Sequence, residues 1–364
     1  MASVGIQSKE GLNMKIVELL AFTVKQGASD LHLSPGMPPM LRKQGEIHRV
    51  KLPILEPSAI KSLLDELMSQ VQHDTLERSK ELDFAYELGD IARFRINIFY
   101  TRGGISAVFR TIPQRMPQLQ QLGCPPVLAS LLQESNGLIL VTGPTGSGKS
   151  TTLAAMLDHI NEHCAYHLIT IEDPIEFVHQ SKRSLVNQRE LSRDTLGFDA
   201  ALRAALREDP DVILVGELRD LDTIRLALTA AETGHLVLAT LHTNSAAKSI
   251  NRIIDVFPGG EKSLIRSLLS DSLRAVISQR LVNTVDGRRC AAYEVLVNTV
   301  AIRNLIREDK IAQIYSQMQT GSGLGMRTME QALERLAEKG DIKRETEAWT
   351  EIGARQLEPE WVKD

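Results

Sequence analysis

Cysteine is scarce and scattered. Cys124, Cys164 and Cys290 lie far apart and form no C-x-x-C pair. That argues against a paired-cysteine zinc module and against a disulfide scaffold, and it fits a reducing compartment. An excess of one charge is also missing: 42 basic against 46 acidic residues leave a net charge of −4. The chain as a whole has no electrostatic pull toward nucleic acid or anionic lipid. Aromatic residues make up only 4% of it, and no aromatic-plus-basic groove for a single strand is evident. No apolar run approaches the ~18 residues that suggest a membrane span. The start Met1-Ala-Ser-Val-Gly-Ile-Gln-Ser-Lys-Glu10 lacks the apolar core of a signal peptide. Internal repeats and low-complexity tracts are absent as well. These absences lead to the expectation of a cytoplasmic protein with no nucleic-acid partner.

At 364 residues the chain has room for two domains. Residues 1–13 are polar and aperiodic, and read as a flexible extension. From Met14 a helix is expected, with Ile16, Leu19, Leu20 and Val24 on one face. Ser29 to Ser34 alternates like a strand, Pro35-Gly-Met-Pro-Pro39 breaks it, and Gln44-Gly45 marks a turn. Ser58 to Gln72 reads as a single amphipathic helix with Ile60, Leu63, Leu64 and Leu67 inward. Leu82–Leu88, Ala92–Phe99 and Ile105–Ile112 read as strands, separated by Gly89-Asp90 and Gly103-Gly104. The expectation is a mixed α+β domain over residues 14–112. Pro113, Pro117, Pro125 and Pro126 crowd the next stretch, so residues 113–122 read as a linker and residues 123–341 as a second domain. In that domain short apolar runs at Leu138–Val141, Leu168–Ile171, Val212–Val215 and Leu236–Leu241 alternate with helical patterns. One of these runs from Asp222 to Thr233. Such alternation predicts a parallel sheet covered by helices, an α/β fold. After Pro258 the pattern reads as helical, with breaks at Asp286-Gly287 and at Gly321–Gly325. Residues 342–364 form a tail with no assigned role.

The most informative stretch is Leu138-Ile-Leu-Val-Thr-Gly-Pro-Thr-Gly-Ser-Gly-Lys-Ser-Thr151. An apolar strand leads into G-x-x-x-x-G-K-S, and a helical pattern follows, which is the setting a Walker A phosphate loop needs. Gly143, Gly146 and Gly148 permit positive φ and close approach to a ligand. The nucleotide-binding residues are therefore Gly143, Pro144, Thr145, Gly146, Ser147, Gly148, Lys149, Ser150 and Thr151. Backbone N–H groups at a helix start make an anion site. Lys149 is placed to reach the β- and γ-phosphates of ATP, and the Ser150 hydroxyl to ligate Mg²⁺.

Hydrolysis needs more than a cradle: a group to orient water, a group to hold Mg²⁺, and positive charge at the transition state. In open α/β sheets such groups come from the carboxyl ends of neighbouring strands. Glu172-Asp173-Pro174-Ile175-Glu176 follows one predicted strand, and any of its three carboxylates can polarise a water; an ordinary solvated acidic turn is the plain alternative. Glu217 follows Val212-Ile-Leu-Val-Gly216, the Walker B position for holding Mg²⁺ directly or through water. His235 and His242 stand at the two ends of another predicted strand. His242, at the carboxyl end, is a candidate sensor that bonds the γ-phosphate or a catalytic carboxylate. For His235 a turn role competes with a sensor role. Arg93 and Arg95 share one strand face and, with Arg110, offer either a cationic surface for phosphate or an ordinary solvated face. Arg303 and Arg307 sit one turn apart on a short amphipathic helix that presents either a plain surface or a partner contact.

Together these segments resemble the type IV pilus retraction ATPase family (twitching motility ATPases) of the secretion ATPase superfamily. The resemblance covers residues 14–341. It rests on Ala28-Ser-Asp-Leu-His-Leu33, the phosphate loop, Ile171-Glu-Asp-Pro-Ile-Glu-Phe177, Leu206-Arg-Glu-Asp-Pro-Asp-Val-Ile-Leu-Val-Gly-Glu217, Thr233-Gly-His235 with Leu241-His-Thr-Asn244, and Ala301-Ile-Arg-Asn-Leu-Ile-Arg-Glu308. It implies a PAS-like N-terminal domain and a RecA-like ATPase domain with C-terminal helices, assembled as a homo-hexamer that uses Mg²⁺ and ATP. It also implies residue roles: Arg93, Arg95 and Arg110 on the phosphates, Glu176 as the water-activating carboxylate, Glu217 as the Walker B acid, and Arg303 and Arg307 in coupling to retraction. Implied partners are the pilus platform protein at the inner membrane, where the motor would sit peripherally, and a second retraction ATPase. Residues 1–13 and 342–364 depart from the pattern. Competing readings are a pilus-assembly or type II secretion ATPase, an accessory retraction subunit and, more distantly, a RecA-like nucleic-acid motor.

Overall fold

The computed structural model describes residues 15–43, 45–112 and 116–344. The chain divides into two compact units, Met1–Arg115 and Met116–Asp364. The extension at residues 1–13 and most of the tail beyond Arg344 lie outside the described residues.

The first unit has a helix α1 (Ile16–Lys25), three short strands β1 (Asp30–Leu33), β2 (Met40–Lys43) and β3 (Glu46–Arg49), two helices α2 (Pro57–Asp65) and α3 (Gln70–Ser79), and three longer strands β4 (Glu81–Leu88), β5 (Ala92–Thr101) and β6 (Gly104–Ile112). Its sheet runs β3-β2-β1-β6-β5-β4, with every pairing antiparallel. Strand β5 shows why the sheet has a dry face and a wet one. Ala92, Phe94, Ile96 and Ile98 are buried, while Arg93, Arg95 and Asn97 alternate onto the other face. Ile16, Leu19 and Leu20 of α1 and Ile60, Leu63 and Leu64 of α2 close over the apolar face. Each such side chain is worth roughly 1.5–3 kcal/mol when fully buried.

The single helix expected over Ser58–Gln72 is two helices. Helix α2 stops at Asp65, and Ser69 starts α3 with a capping box: Gln72 N donates to the Ser69 hydroxyl, and the Ser69 N–H donates to Gln72 Oε1 at 2.8 Å. The Ser-x-x-Gln spacing inside the apolar stripe was the overlooked start signal.

The second unit begins with α4 (Val127–Leu131) and then alternates: β7 (Gly137–Thr142), α5 (Lys149–His163), β8 (His167–Glu172), β9 (Leu185–Glu190), α6 (Phe198–Ala205), β10 (Val212–Val215), α7 (Leu221–Glu232), β11 (Leu236–Leu241) and α8 (Ala246–Asp255). Helix α9 (Lys262–Ser272), strands β12 (Leu273–Asn283) and β13 (Arg289–Val297), and helices α10 (Val300–Arg307), α11 (Ile314–Thr320) and α12 (Met329–Glu338) complete it. The sheet order is β13-β12-β7-β11-β10-β8-β9, parallel except for the β12–β13 hairpin. Strands β7, β10 and β11 are buried along their whole length, as a sheet covered on both faces requires. Along β7 the alternation assigns the layers. Leu138 and Leu140 join the core with Ile224, Leu228 and Ala231 of α7, whereas Ile139 and Val141 join the one with Met156, Leu157 and Ile160 of α5.

The helical reading after Pro258 needs correction. Leu273–Val297 is a hairpin that adds two strands, and Asp286-Gly287 is its turn. The run Leu273-Arg-Ala-Val-Ile-Ser-Gln-Arg-Leu-Val282 is buried on both faces, so it carries no alternation to separate strand from helix. The family-implied architecture stands otherwise: an α+β unit, then a RecA-like α/β unit ending in helices.

Candidate functional site

Strand β7 delivers the chain to the loop Gly143–Gly148 between its two neighbours, β11 and β12. Glycines 143, 146 and 148 take φ of +149°, +78° and +88°. Two of them are also steric necessities. A Cβ on Gly143 would lie 2.3 Å from the main-chain oxygen of Gln279 and 2.6 Å from Ser147 Oγ, and one on Gly148 would lie 2.9 Å from Gln279 Nε2. Lys149 opens α5 directly from the loop, with only 9% of its surface exposed. Its ammonium donates to the carbonyls of Gly143 at 2.8 Å and Pro144 at 3.1 Å. Burial pulls its pKa below the usual lysine range, and the charges of Glu217 and Glu176 oppose that fall. The Ser147 hydroxyl is buried without a hydrogen-bond partner. Pro144, Thr145, Gly146 and Ser150 face solvent, and Thr151 is half-buried.

Two strand ends bring acids toward Lys149. Glu217 follows β10, and its carboxylate accepts from Arg219 Nε at 2.7 Å. His242 follows β11 and bridges the two groups, with Nε2 3.3 Å from Glu217 Oε1 and Nδ1 3.5 Å from Lys149 Nζ. An ammonium can only donate, so Nδ1 accepts and Nε2 carries the hydrogen that Glu217 receives. A cavity of about 330 Å³ opens beside this pair, lined by Glu217, Arg219, His242, Thr243 and Arg252 among others. Glu176 is half-buried in the segment after β8 and acts on Lys149 through its charge. Glu172, by contrast, is tied into the fold, accepting from Thr170 Oγ1 at 2.7 Å and Gln188 Nε2 at 3.0 Å. The Asp173–Pro174 peptide between them is cis.

His235 stands at the amino end of β11, the opposite end from the loop. Its ring nitrogen Nδ1 lies 3.1 Å from the Ala230 carbonyl, the turn role weighed against a sensor role. The structure does gather the three arginines of the first unit. Arg95 and Arg110 are direct cross-strand partners, Arg93 is two residues along the same strand face, and each holds a carboxylate. Arg95 grips Asp83 with two nitrogens, at 2.7 Å for Nη2 and 3.1 Å for Nε. Arg110 holds Asp30 at 3.1 Å, and Arg93 holds Glu87. It also separates the pair on α10. Arg307 is clamped to α9 through Ser270 Oγ at 2.9 Å and the Asp271 carboxylate, while Arg303 makes no ion pair among the described residues and its Nε is buried without a partner.

Sequence reasoning missed the groups beneath the loop. Gln279, on β12, donates from Nε2 to the Ser147 carbonyl at 2.7 Å and accepts from Thr152 Oγ1 at 2.7 Å. Glu294, on β13, accepts from the N–H of Ala246 at 2.7 Å and also from that of Met329, so one buried carboxylate holds the starts of α8 and α12. Helix α8 begins four residues after His242. Burial pushes the Glu294 pKa up to about 7. Neither residue belongs to a local motif, and the strands that carry them were read as helix.

Among the described residues no cluster of three or more His, Cys, Asp or Glu is arranged to hold a metal ion by itself. The Ser150 hydroxyl, on the first turn of α5, and the Glu217 carboxylate, whose charge acts on Lys149, are among the oxygen donors near the loop. That set suits Mg²⁺, which takes one or two protein ligands and completes its shell with phosphate and water. The orphaned Ser147 hydroxyl and the buried Lys149 ammonium fit a phosphate in the same way. No helix among the described residues is long and apolar enough to cross a membrane.

Residues 7–344 match the family described as Type II/IV secretion system protein. The chain is 58% identical over 332 residues to the Type IV pilus retractation ATPase PilT of Pseudomonas aeruginosa, covering 91% of this chain and 96% of that one. It is 55% identical over 305 residues to the twitching motility protein of Neisseria gonorrhoeae, covering 84% and 82%. Among solved structures, that of the pilus retraction motor PilT with bound ADP superimposes with a TM-score of 0.83 at 49% identity, covering 91% of this chain and 95% of that one. The chain therefore belongs to the Type II/IV secretion system protein family, and within it is an ATPase that binds nucleotide.

Proposed function

We propose that this ATPase is a motor subunit that couples Mg-ATP hydrolysis to the retraction of type IV pili, and so to twitching motility, as one of six copies in a ring. The observation that carries the reading is the continuous line Lys149–His242–Glu217, which joins the phosphate loop to the Walker B acid in one connected site. The match to a retraction ATPase over nine-tenths of both chains supports retraction as the direction of pilus movement.

In this reading the N–H groups of Gly146, Gly148, Lys149, Ser150 and Thr151 cradle the phosphates. Lys149 exchanges its two loop carbonyls for β- and γ-phosphate oxygens, a stronger, charge-assisted contact. Ser150 and Glu217 would hold Mg²⁺, whose charge when bound neutralises the phosphate oxygens. Glu176 orients a water and takes its proton as the water oxygen bonds to the γ-phosphorus and the bond to ADP breaks. His242 senses this through Glu217. Arg93, Arg95 and Arg110 form the cationic surface for phosphate, and each gives up a carboxylate to serve there. Arg303 couples hydrolysis to retraction. The partners are the pilus platform protein at the inner-membrane face, where the motor is peripheral, and a second retraction ATPase.

The test is retraction itself, scored by labelled pili and surface spreading in cells lacking this chain and supplied with wild-type or Lys149→Ala protein. Wild type should restore retraction and the variant should not. Retraction at the wild-type rate in the variant, or loss of pilus extension in the cells without the chain, would defeat the proposal.

A further inference from the structure

We propose that Gln279 is a positioning residue for the phosphate loop and sets its affinity for nucleotide from strand β12, 132 residues away from Ser147 in sequence. The proposal rests on the phosphate-site reading above.

Gln279 is 3% exposed, and both ends of its amide are used. The nitrogen donates to the Ser147 carbonyl and the oxygen accepts from the Thr152 hydroxyl, so the amide cannot flip without losing both bonds. Thr152 lies on the first turn of α5. The amide oxygen is thus held by a group outside the loop. Gln279 also contacts the loop sterically: its main-chain oxygen excludes a side chain at Gly143, and its amide nitrogen excludes one at Gly148.

The consequence for binding follows from peptide geometry. The Ser147–Gly148 peptide is planar and trans, so its N–H points opposite to its C=O. Drawing the Ser147 carbonyl onto Gln279 turns the Gly148 N–H away from β12, where it is free to donate to an anion. Without that tether nothing at Gly148 resists rotation of the peptide, because glycine accepts either orientation at little cost. The amide therefore fixes the orientation of a phosphate donor before the ligand arrives, which lowers the ordering cost of binding.

The experiment is an ADP titration of the full chain by calorimetry, with the thermal midpoint of the ligand-free protein measured alongside. Gln279→Ala should weaken ADP about tenfold, with a smaller change in kcat at saturating ATP, in a protein that melts lower than wild type but well above the temperature of the titration. Thr152→Val, which frees the amide to flip, should weaken ADP about threefold, and Thr152→Ser should return it to the wild-type value. If Gln279→Ala does not fold, the Val/Ser pair decides the matter. Wild-type ADP affinity in a folded Gln279→Ala, or equal affinities in the two Thr152 variants, would overturn the proposal. Lys149→Ala in the same titration separates the two levels: its failure to lose affinity would instead refute the phosphate-site reading.

Discussion

Replacing Glu294 by Gln should remove a pH dependence of stability from the ATPase unit. The carboxyl group is 5% exposed, and its pKa is raised from 4.5 to about 7. Burial is the main cause, the nearby Glu330 adds to it, and the N–H donors of Ala246 and Met329 together with Arg280 oppose it. The fold therefore keeps a proton that the unfolded chain releases. The associated stability is fully present below pH 4.5 and is lost as pH rises through 7. The shift corresponds to about 3 kcal/mol at 1.36 kcal/mol per unit, or roughly 6–12 °C in melting temperature for a unit of this size. Glutamine has nearly the same shape and does not ionise. Melting temperatures of wild type and Glu294→Gln should therefore change in relation to each other between pH 4.5 and 8, with the variant gaining at the alkaline end. Titrations common to both proteins cancel in the difference. Parallel profiles across that range would show that Glu294 is not buried as a neutral acid and would refute the reasoning.

Three further outcomes follow from the site. Glu176→Gln should retain ADP binding within about twofold and lose phosphate release by at least about a hundredfold, as read by a phosphate-sensor assay; undiminished release would remove the catalytic assignment. Arg307→Ala should lower stability by up to about 1 kcal/mol, because it loosens the clamp between α10 and α9. Arg303→Ala should leave both melting temperature and ATPase rate near wild type while stopping retraction in cells, and a collapse of its ATPase rate would move Arg303 from coupling to ring assembly.

The phosphate loop was legible because its chemistry is local. The glycines, lysine and serine of the motif fall within residues 143–150, and a strand and a helix flank them. Glu217 and His242 were legible for a related reason, since each ends a short apolar run whose parallel pairing the βα alternation implies. The bridge from His242 to both Lys149 and Glu217 was not, because it depends on three strand ends meeting side by side. Gln279 and Glu294 were hidden more deeply. Their strands are largely buried on both faces, so periodicity carried no signal, and their partners at Ser147 and Ala246 are remote in sequence. The arginines of β5 and β6 were legible as a face, but nothing local foretold that Asp83, Glu87 and Asp30 would hold them. Arg303 and Arg307 looked equivalent on the helix and are not, since only Arg307 finds Ser270 and Asp271.

The central claim is that the loop ending in Lys149 is a working ATPase site, and the most direct measurement is Mg²⁺-dependent release of phosphate from ATP by the purified chain beside its Lys149→Ala variant. Wild type should release phosphate until Mg²⁺ is chelated, and the variant should lose both release and nucleotide binding. Equal release by the two proteins, or ATP bound by wild type with no phosphate released, would contradict it.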